Sequence, residues 1–136
     1  MSDDPIRRFL RIRGVPDHVV DGGLDGLITA WETTAAAIAA GYDLSLDDYL
    51  NDLDTRQILE GVLASIPEPD GPLIARLRAA DGRVRAATTP GRGCLWGAGA
   101  SPGWTERRNW WYFVLPRNRG DELAEDLARA GFGEPA

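Results

Sequence analysis

Residues 73–88 read LIARLRAADGRVRAAT, and the choice between helix and hairpin for this stretch decides the fold. Asp81–Gly82 is a strong hairpin turn, and a hairpin here would make the C-terminal half a β structure. Against it, Leu73, Leu77, Ala80, Val84 and Ala87 recur at four-three-four-three spacing, the period of one helix face. The flanks are rich in arginine and alanine rather than in β-branched residues, which also favours a helix. A helix over 73–88 commits the chain to a mainly helical architecture.

Upstream the periodicity is stronger. Val20, Leu24, Leu27, Trp31, Ala35 and Ile38 alternate by three and four residues from Asp17 to the stop at Gly41. Gly22, Gly26 and Ala30 mark a bare strip along this helix, which predicts close packing against another backbone or a local break near Gly22–Gly23. An earlier helix is expected over 5–13, with Asp4 as its cap and Gly14 as its end.

The segment 44–56, LSLDDYLNDLDTR, opens with a capping box of Ser45 and Asp48. Leu46, Leu50 and Leu53 share a face, but Leu59, Val62, Leu63 and Ile66 fall half a turn away if one helix continues. With Asp54 able to cap a second start, the spacing predicts two helices, 46–52 and 55–65. Beyond residue 88 the glycine-rich run to Gly103 predicts an irregular loop with a short strand at 94–96. NWWYFVLP, residues 109–116, predicts a strand at 110–115 pairing with it. Asp121 is placed to cap a last helix to about residue 130, closed by Gly131 and Phe132. The fold class expected is mainly α (α+β), a single domain over 1–136 of five or six helices with one short hairpin-like β element.

Composition bounds the function. A chain of 136 residues, 43% hydrophobic, can bury about two-thirds of its unfolded surface. No run of 18 apolar residues occurs and the start lacks a secretory signal, so a cytoplasmic location is expected and no membrane partner. One cysteine, Cys94, and one histidine, His18, exclude an internal disulfide and a cysteine zinc cage. No cofactor and no metal is expected. Neither residue sits in a nucleophile motif, and Gly97, Gly99 and Gly103 miss the dinucleotide-binding spacing by one residue. All fifteen basic residues are arginine, which fits a bacterial, GC-rich coding background.

The net charge of −6 hides polarity along the chain. Residues 15–72 carry twelve acidic side chains and only Arg56, a balance of −11; residues 73–120 carry nine arginines against Asp81 and Glu106, a balance of +7. The two segments either pair with each other or present surfaces of opposite sign. The aspartate-rich helix then predicts a protein-docking surface for a basic partner, with Asp48, Tyr49, Asp52, Trp104, Trp110 and Tyr112 as contact residues. The alternative is a nucleotide or nucleic-acid site on the Arg/Trp-rich segment 83–119, using Arg83, Arg85, Arg107, Arg108 and Trp110. An enzyme using carboxylates ranks third, because no paired geometry for acid/base work is legible. Oligomeric state is not legible either.

Overall fold

The computed structural model describes residues 8, 10, 14, 17–65, 71–96 and 104–132. The helix expected at 5–13 falls largely outside them; within it Arg8 and Leu10 are helical, and Leu10 is buried. Among the described residues the order is helix α1 (Asp17–Ala40), helix α2 (Leu46–Ser65), helix α3 (Gly71–Ala86), strand β1 (Thr88–Pro90), a 3-10 turn (Trp110–Phe113), strand β2 (Val114–Pro116) and helix α4 (Asp121–Arg129). The mainly helical class holds, and among the described residues four α-helices are complete where five or six were expected.

The decisive stretch is helical, and Asp81–Gly82 lies inside α3 instead of at a hairpin tip. Leu77, Ala80 and Val84 form its buried face, and its main partner is α1. The periodic residues of α1 behave as their spacing requires: Leu24, Leu27, Trp31, Ala35 and Ile38 are all buried. A break does occur at the predicted glycines. Gly23 has φ 60° and ψ −153°, a conformation closed to side chains with a Cβ. The bare strip, in contrast, meets no other backbone: Gly22, Gly26 and Ala30 face solvent, with nothing within 4 Å of a Cβ built on either glycine.

The expected division of 46–65 into two helices is overturned, because α2 is continuous. The reason is visible in its buried residues Tyr49, Leu50, Leu53, Arg56, Leu59 and Val62. They advance in steps of three, so the covered stripe winds around the helix instead of running along one face. The helix packs against α1, the 3-10 turn and α4 at once: Leu46 meets Asp126 of α4 at its start, Asp54 meets Tyr112 of the 3-10 turn, and Arg56 reaches both Trp111 of that turn and Asp81 of α3. A phase slip that reads as a helix end in the sequence is a change of packing partner. Asp54 caps nothing; its carboxylate accepts hydrogen bonds from the Tyr112 hydroxyl at 2.6 Å and the Trp96 indole N–H at 3.2 Å.

The β element is real but differently made. Thr88–Pro90 pairs antiparallel with Val114–Pro116 in the register Thr88↔Pro116, Thr89↔Leu115, Pro90↔Val114. Residues 94–96 form a turn tied to this region by one bond, from the Leu95 N–H to the Tyr112 carbonyl. Trp110–Phe113 winds as a 3-10 turn instead of extending. On a strand, neighbouring rings would point to opposite faces and one face would need a second cover. The turn buries Trp110, Trp111 and Tyr112 together, and the resulting hydrophobic cluster is continuous from α1 to α4. Gly120, not Asp121, occupies the cap position of α4, with Asp121 and Glu122 in its first turn. At the other end the Phe132 N–H bonds back to the Leu127 carbonyl, as expected.

Candidate functional site

Most of the charge that the sequence offers for a site is consumed inside the fold. Ser45 and Asp48 form the capping box: the Asp48 N–H donates to Ser45 Oγ at 3.1 Å, and Asp48 Oδ2 accepts from the Ser45 hydroxyl at 2.8 Å and its N–H at 3.3 Å. Asp52 is half-buried and accepts the hydroxyl of Tyr42. Burial raises the Asp52 carboxyl above its ordinary range, opposed by the Tyr42 hydrogen bond and reinforced by the neighbouring Asp48 charge. Burial, and then the Asp52 bond, push the Tyr42 phenol up as well.

The tyrosine and tryptophan residues expected at a partner surface are mostly core. Tyr49 is fully buried, its ring edge-on to Tyr42 at 5.1 Å and its hydroxyl donating to the Val114 carbonyl at 2.8 Å. Desolvation raises its phenol pKa, with the Asp52 charge adding to it. Tyr112 is likewise buried under Trp104, which stacks on it at 4.3 Å, and its phenol is raised by burial and by the Asp54 bond. Trp110 is buried beneath the Arg85 guanidinium, which lies 4.1 Å from the ring centroid. Surface roles for Tyr49, Tyr112 and Trp110 are thus corrected, because Tyr112 and Trp110 join the 3-10 turn to α2 and α3 and Tyr49 joins α2 to β2. Trp104 remains partly accessible, and Trp96, at 41% exposure, is the open aromatic.

The two charged segments meet, but not along the aspartate-rich face of α2. Arg76 reaches from α3 to Asp25 and Glu32 of α1, with both contacts at 2.6 Å. That hydrogen bond holds the Glu32 carboxyl below its ordinary range. Arg56, 6% exposed, donates to both Asp81 oxygens at 2.9 and 3.0 Å and to Glu60 at 3.1 Å, while the Trp31 indole N–H also donates to Asp81 at 2.8 Å. Arg56 also stacks 4.5 Å above the Trp111 ring, whose buried indole N–H has no acceptor among the described residues. Arg83, Arg85, Arg107 and Arg108 are exposed and form no ion pair among the described residues.

What sequence reading missed is the corner where the starts of α2 and α4 meet. The Asp126 carboxylate accepts the Leu46 N–H at 3.0 Å, and Asp43 lies against Gly120, so close that a Cβ on Gly120 would come within 2.5 Å of its carboxylate. The Gly120 N–H donates to the Tyr42 carbonyl at 2.7 Å and the Tyr42 N–H to the Asn118 carbonyl at 3.0 Å, which fixes the loop. Asp43, Asp47, Asp48, Asp121 and Glu122 are all exposed here, and Leu44 projects among them at 50% exposure. A shallow cleft of about 530 Å³ opens beside them, lined by Gly41, Asp43, Arg117, Asn118, Arg119 and Gly120. The far-apart sequence positions, 43–48 and 117–122, hid this convergence.

No group of three His, Cys, Asp or Glu side chains able to hold a metal occurs among the described residues, and no described helix is long and apolar enough to cross a membrane. The His18 side chain and the glycine loop 97–103 lie outside the described residues. Compared with protein-family models, with curated proteins and with solved structures, the chain matches none.

Proposed function

We propose that the chain is a non-enzymatic binding protein that docks a basic partner protein through the corner formed by the starts of α2 and α4. The observation that carries this reading is Leu44, half-exposed among five exposed carboxylates that have no ion-pair partner among the described residues. An apolar side chain ringed by charge of one sign is suited to a buried anchor with an electrostatic rim, in which the rim speeds encounter and the anchor slows release. Arg117 and Arg119 beside the cleft reduce the local negative charge without reversing it. The arginine-only basic complement and the lone cysteine favour a bacterial cytoplasmic setting.

The test is a titration of the chain with a lysine polymer and with a small basic protein at about 0.1 M salt, where screening acts over roughly 10 Å. Binding should weaken at least about fivefold in Leu44→Ser, which removes the anchor without changing the charge, and comparably in Asp47→Asn combined with Asp121→Asn. Equal affinities for wild type and both variants would remove the reading.

A second reading, binding of nucleic acid, draws on exposed Arg92, Arg107 and Arg108 near the exposed Trp96. With Trp110 and Tyr112 buried, Trp96 and Trp104 are the accessible tryptophans among the described residues that could stack on bases. It predicts quenching of tryptophan fluorescence by oligonucleotides that fades as salt rises; no quenching at low salt would eliminate it.

A further inference from the structure

Trp96 is one of two large hydrophobic side chains exposed among the described residues, and its surroundings are built rather than incidental. Its indole N–H is held by Asp54, the same carboxylate that holds the Tyr112 hydroxyl, while Trp104 covers Tyr112. The orientation of the exposed ring is therefore fixed before any partner arrives, which lowers the ordering cost of a contact. The segments tied to it are basic: the turn 104–109, which follows Trp104, carries exposed Arg107 and Arg108, the loop after β1 that leads into Trp96 carries exposed Arg92, and Arg85 lies over Trp110. Of the acidic groups in or bonded to these segments, Asp54 is already engaged by two donors, and Glu106 is outnumbered by its neighbours Arg107 and Arg108. The face is thus basic and aromatic, the composition from which interface anchors are drawn.

We infer that the occupant of this Trp96 face is the α2–α4 corner of a second copy of the chain, packed head to tail. The inference rests on the corner being a docking surface, as proposed above, and it names the partner. The two surfaces have opposite sign and each carries one exposed apolar anchor, Trp96 on one and Leu44 on the other. They are separated along α2. The Asn109 side-chain amide donates to Gln57, ten residues beyond Asp47, so the arginine turn lies about 15 Å along the helix from the acidic start. One copy cannot close such a contact on itself. Two different patches on the same molecule make a heterologous contact, which yields open chains or closed rings instead of a self-complementary pair. Screening decides whether the patches or the net charge of −6 dominates. At about 0.1 M salt the Debye length, roughly 10 Å, is shorter than the patch separation, so attraction between patches acts locally while whole-molecule repulsion is damped. At about 1 M, with a length near 3 Å, the patches are screened too.

Sedimentation velocity on the full chain reads this directly. The weight-average mass should at least double at about 0.1 M salt as the concentration rises, and return to that of one copy at about 1 M. Arg107→Glu with Arg108→Glu, and separately Asp43→Arg with Asp47→Arg, should each remain single-copy at the same concentration while keeping the wild-type circular dichroism spectrum. An equimolar mixture of the two reversed variants should associate again, because the acidic patch of one now meets the basic corner of the other. A wild type that stays single-copy, association that persists in either reversed variant, or reversed variants that fail to associate when mixed overturns the inference. The lysine-polymer titration separates the two readings: a single-copy protein that still binds the polymer through Leu44 and Asp47 loses only this inference, whereas one that does neither loses both.

Discussion

Both carboxylate oxygens of Asp81 accept from one edge of the Arg56 guanidinium, Nε and Nη2. The pair ties α3 to α2 in the middle of the molecule, at 2.9 and 3.0 Å, with Arg56 almost wholly buried. The same carboxylate holds the indole N–H of Trp31 in α1, so one side chain joins three helices.

Removing Asp81 leaves a buried cation and a buried indole donor without their acceptor. Asp81→Ala is expected to cost about 3–5 kcal/mol, as measured by urea unfolding. Arg56→Met combined with Asp81→Asn keeps an acceptor for Trp31 and removes the buried charge, so it should cost far less than Asp81→Ala alone. A double variant as unstable as Asp81→Ala would show that the charge pair itself, and not the stranding of its members, is what stabilises this junction.

The glycines of α1 should respond in opposite directions. Gly23 holds a backbone conformation reserved for glycine, so Gly23→Ala should destabilise by about 1–3 kcal/mol. Gly26 is helical and exposed with open space at its Cβ, so Gly26→Ala should stabilise by about 0.5–1 kcal/mol. Thermal melts of the two variants, moving to either side of wild type, check this.

Asp52 gives stability a pH dependence of defined sign. Burial raises its folded-state pKa above the ordinary value of 3.8, so within that window the folded chain holds the proton more tightly than the unfolded chain. Its contribution is complete below about pH 3.8 and is lost as pH rises through the folded value. Asn at this position still accepts the Tyr42 hydroxyl and carries no charge. Asp52→Asn should therefore raise stability at pH 7, read as a higher Tm, and the gain should vanish below about pH 3.8. A gain that is independent of pH would assign it to something other than this carboxylate.

Tyr49 separates a structural role from a docking one. Its hydroxyl ends on the Val114 carbonyl in the interior, so Tyr49→Phe should cost about 1–2 kcal/mol in urea unfolding and leave affinity for a basic partner unchanged. Weakened binding with unchanged stability would return Tyr49 to the surface role that the sequence assigns it.

The helices were legible wherever apolar spacing stayed in phase with one partner, as along Leu24 to Ile38 and Leu77 to Val84. Reading failed where one element serves two partners. In α2 the drift from Leu53 through Arg56 to Leu59 imitates a helix end, and only the position of Asp81, 25 residues away, reveals why an arginine belongs there. At 110–113 the bulk of four consecutive rings resembles a strand, although burying the first three of them together requires a turn. The candidate site was half legible. The acidic charge was evident, but the capping bond of Asp48 and the Tyr42 bond of Asp52 consume the face first favoured. The corner that remains open depends on Asp43 meeting Gly120, a contact that no local pattern announces.

The small sheet ends in proline on both strands, at Pro90 and Pro116, each opposite a residue of the other strand. Neither proline has an N–H to offer, so the ladder has no room to lengthen and its open margins make poor templates for an incoming strand. This sheet therefore offers crowded copies of the chain little purchase for cross-β growth, and the head-to-tail contact inferred above would be stitched by side chains and reversible with salt.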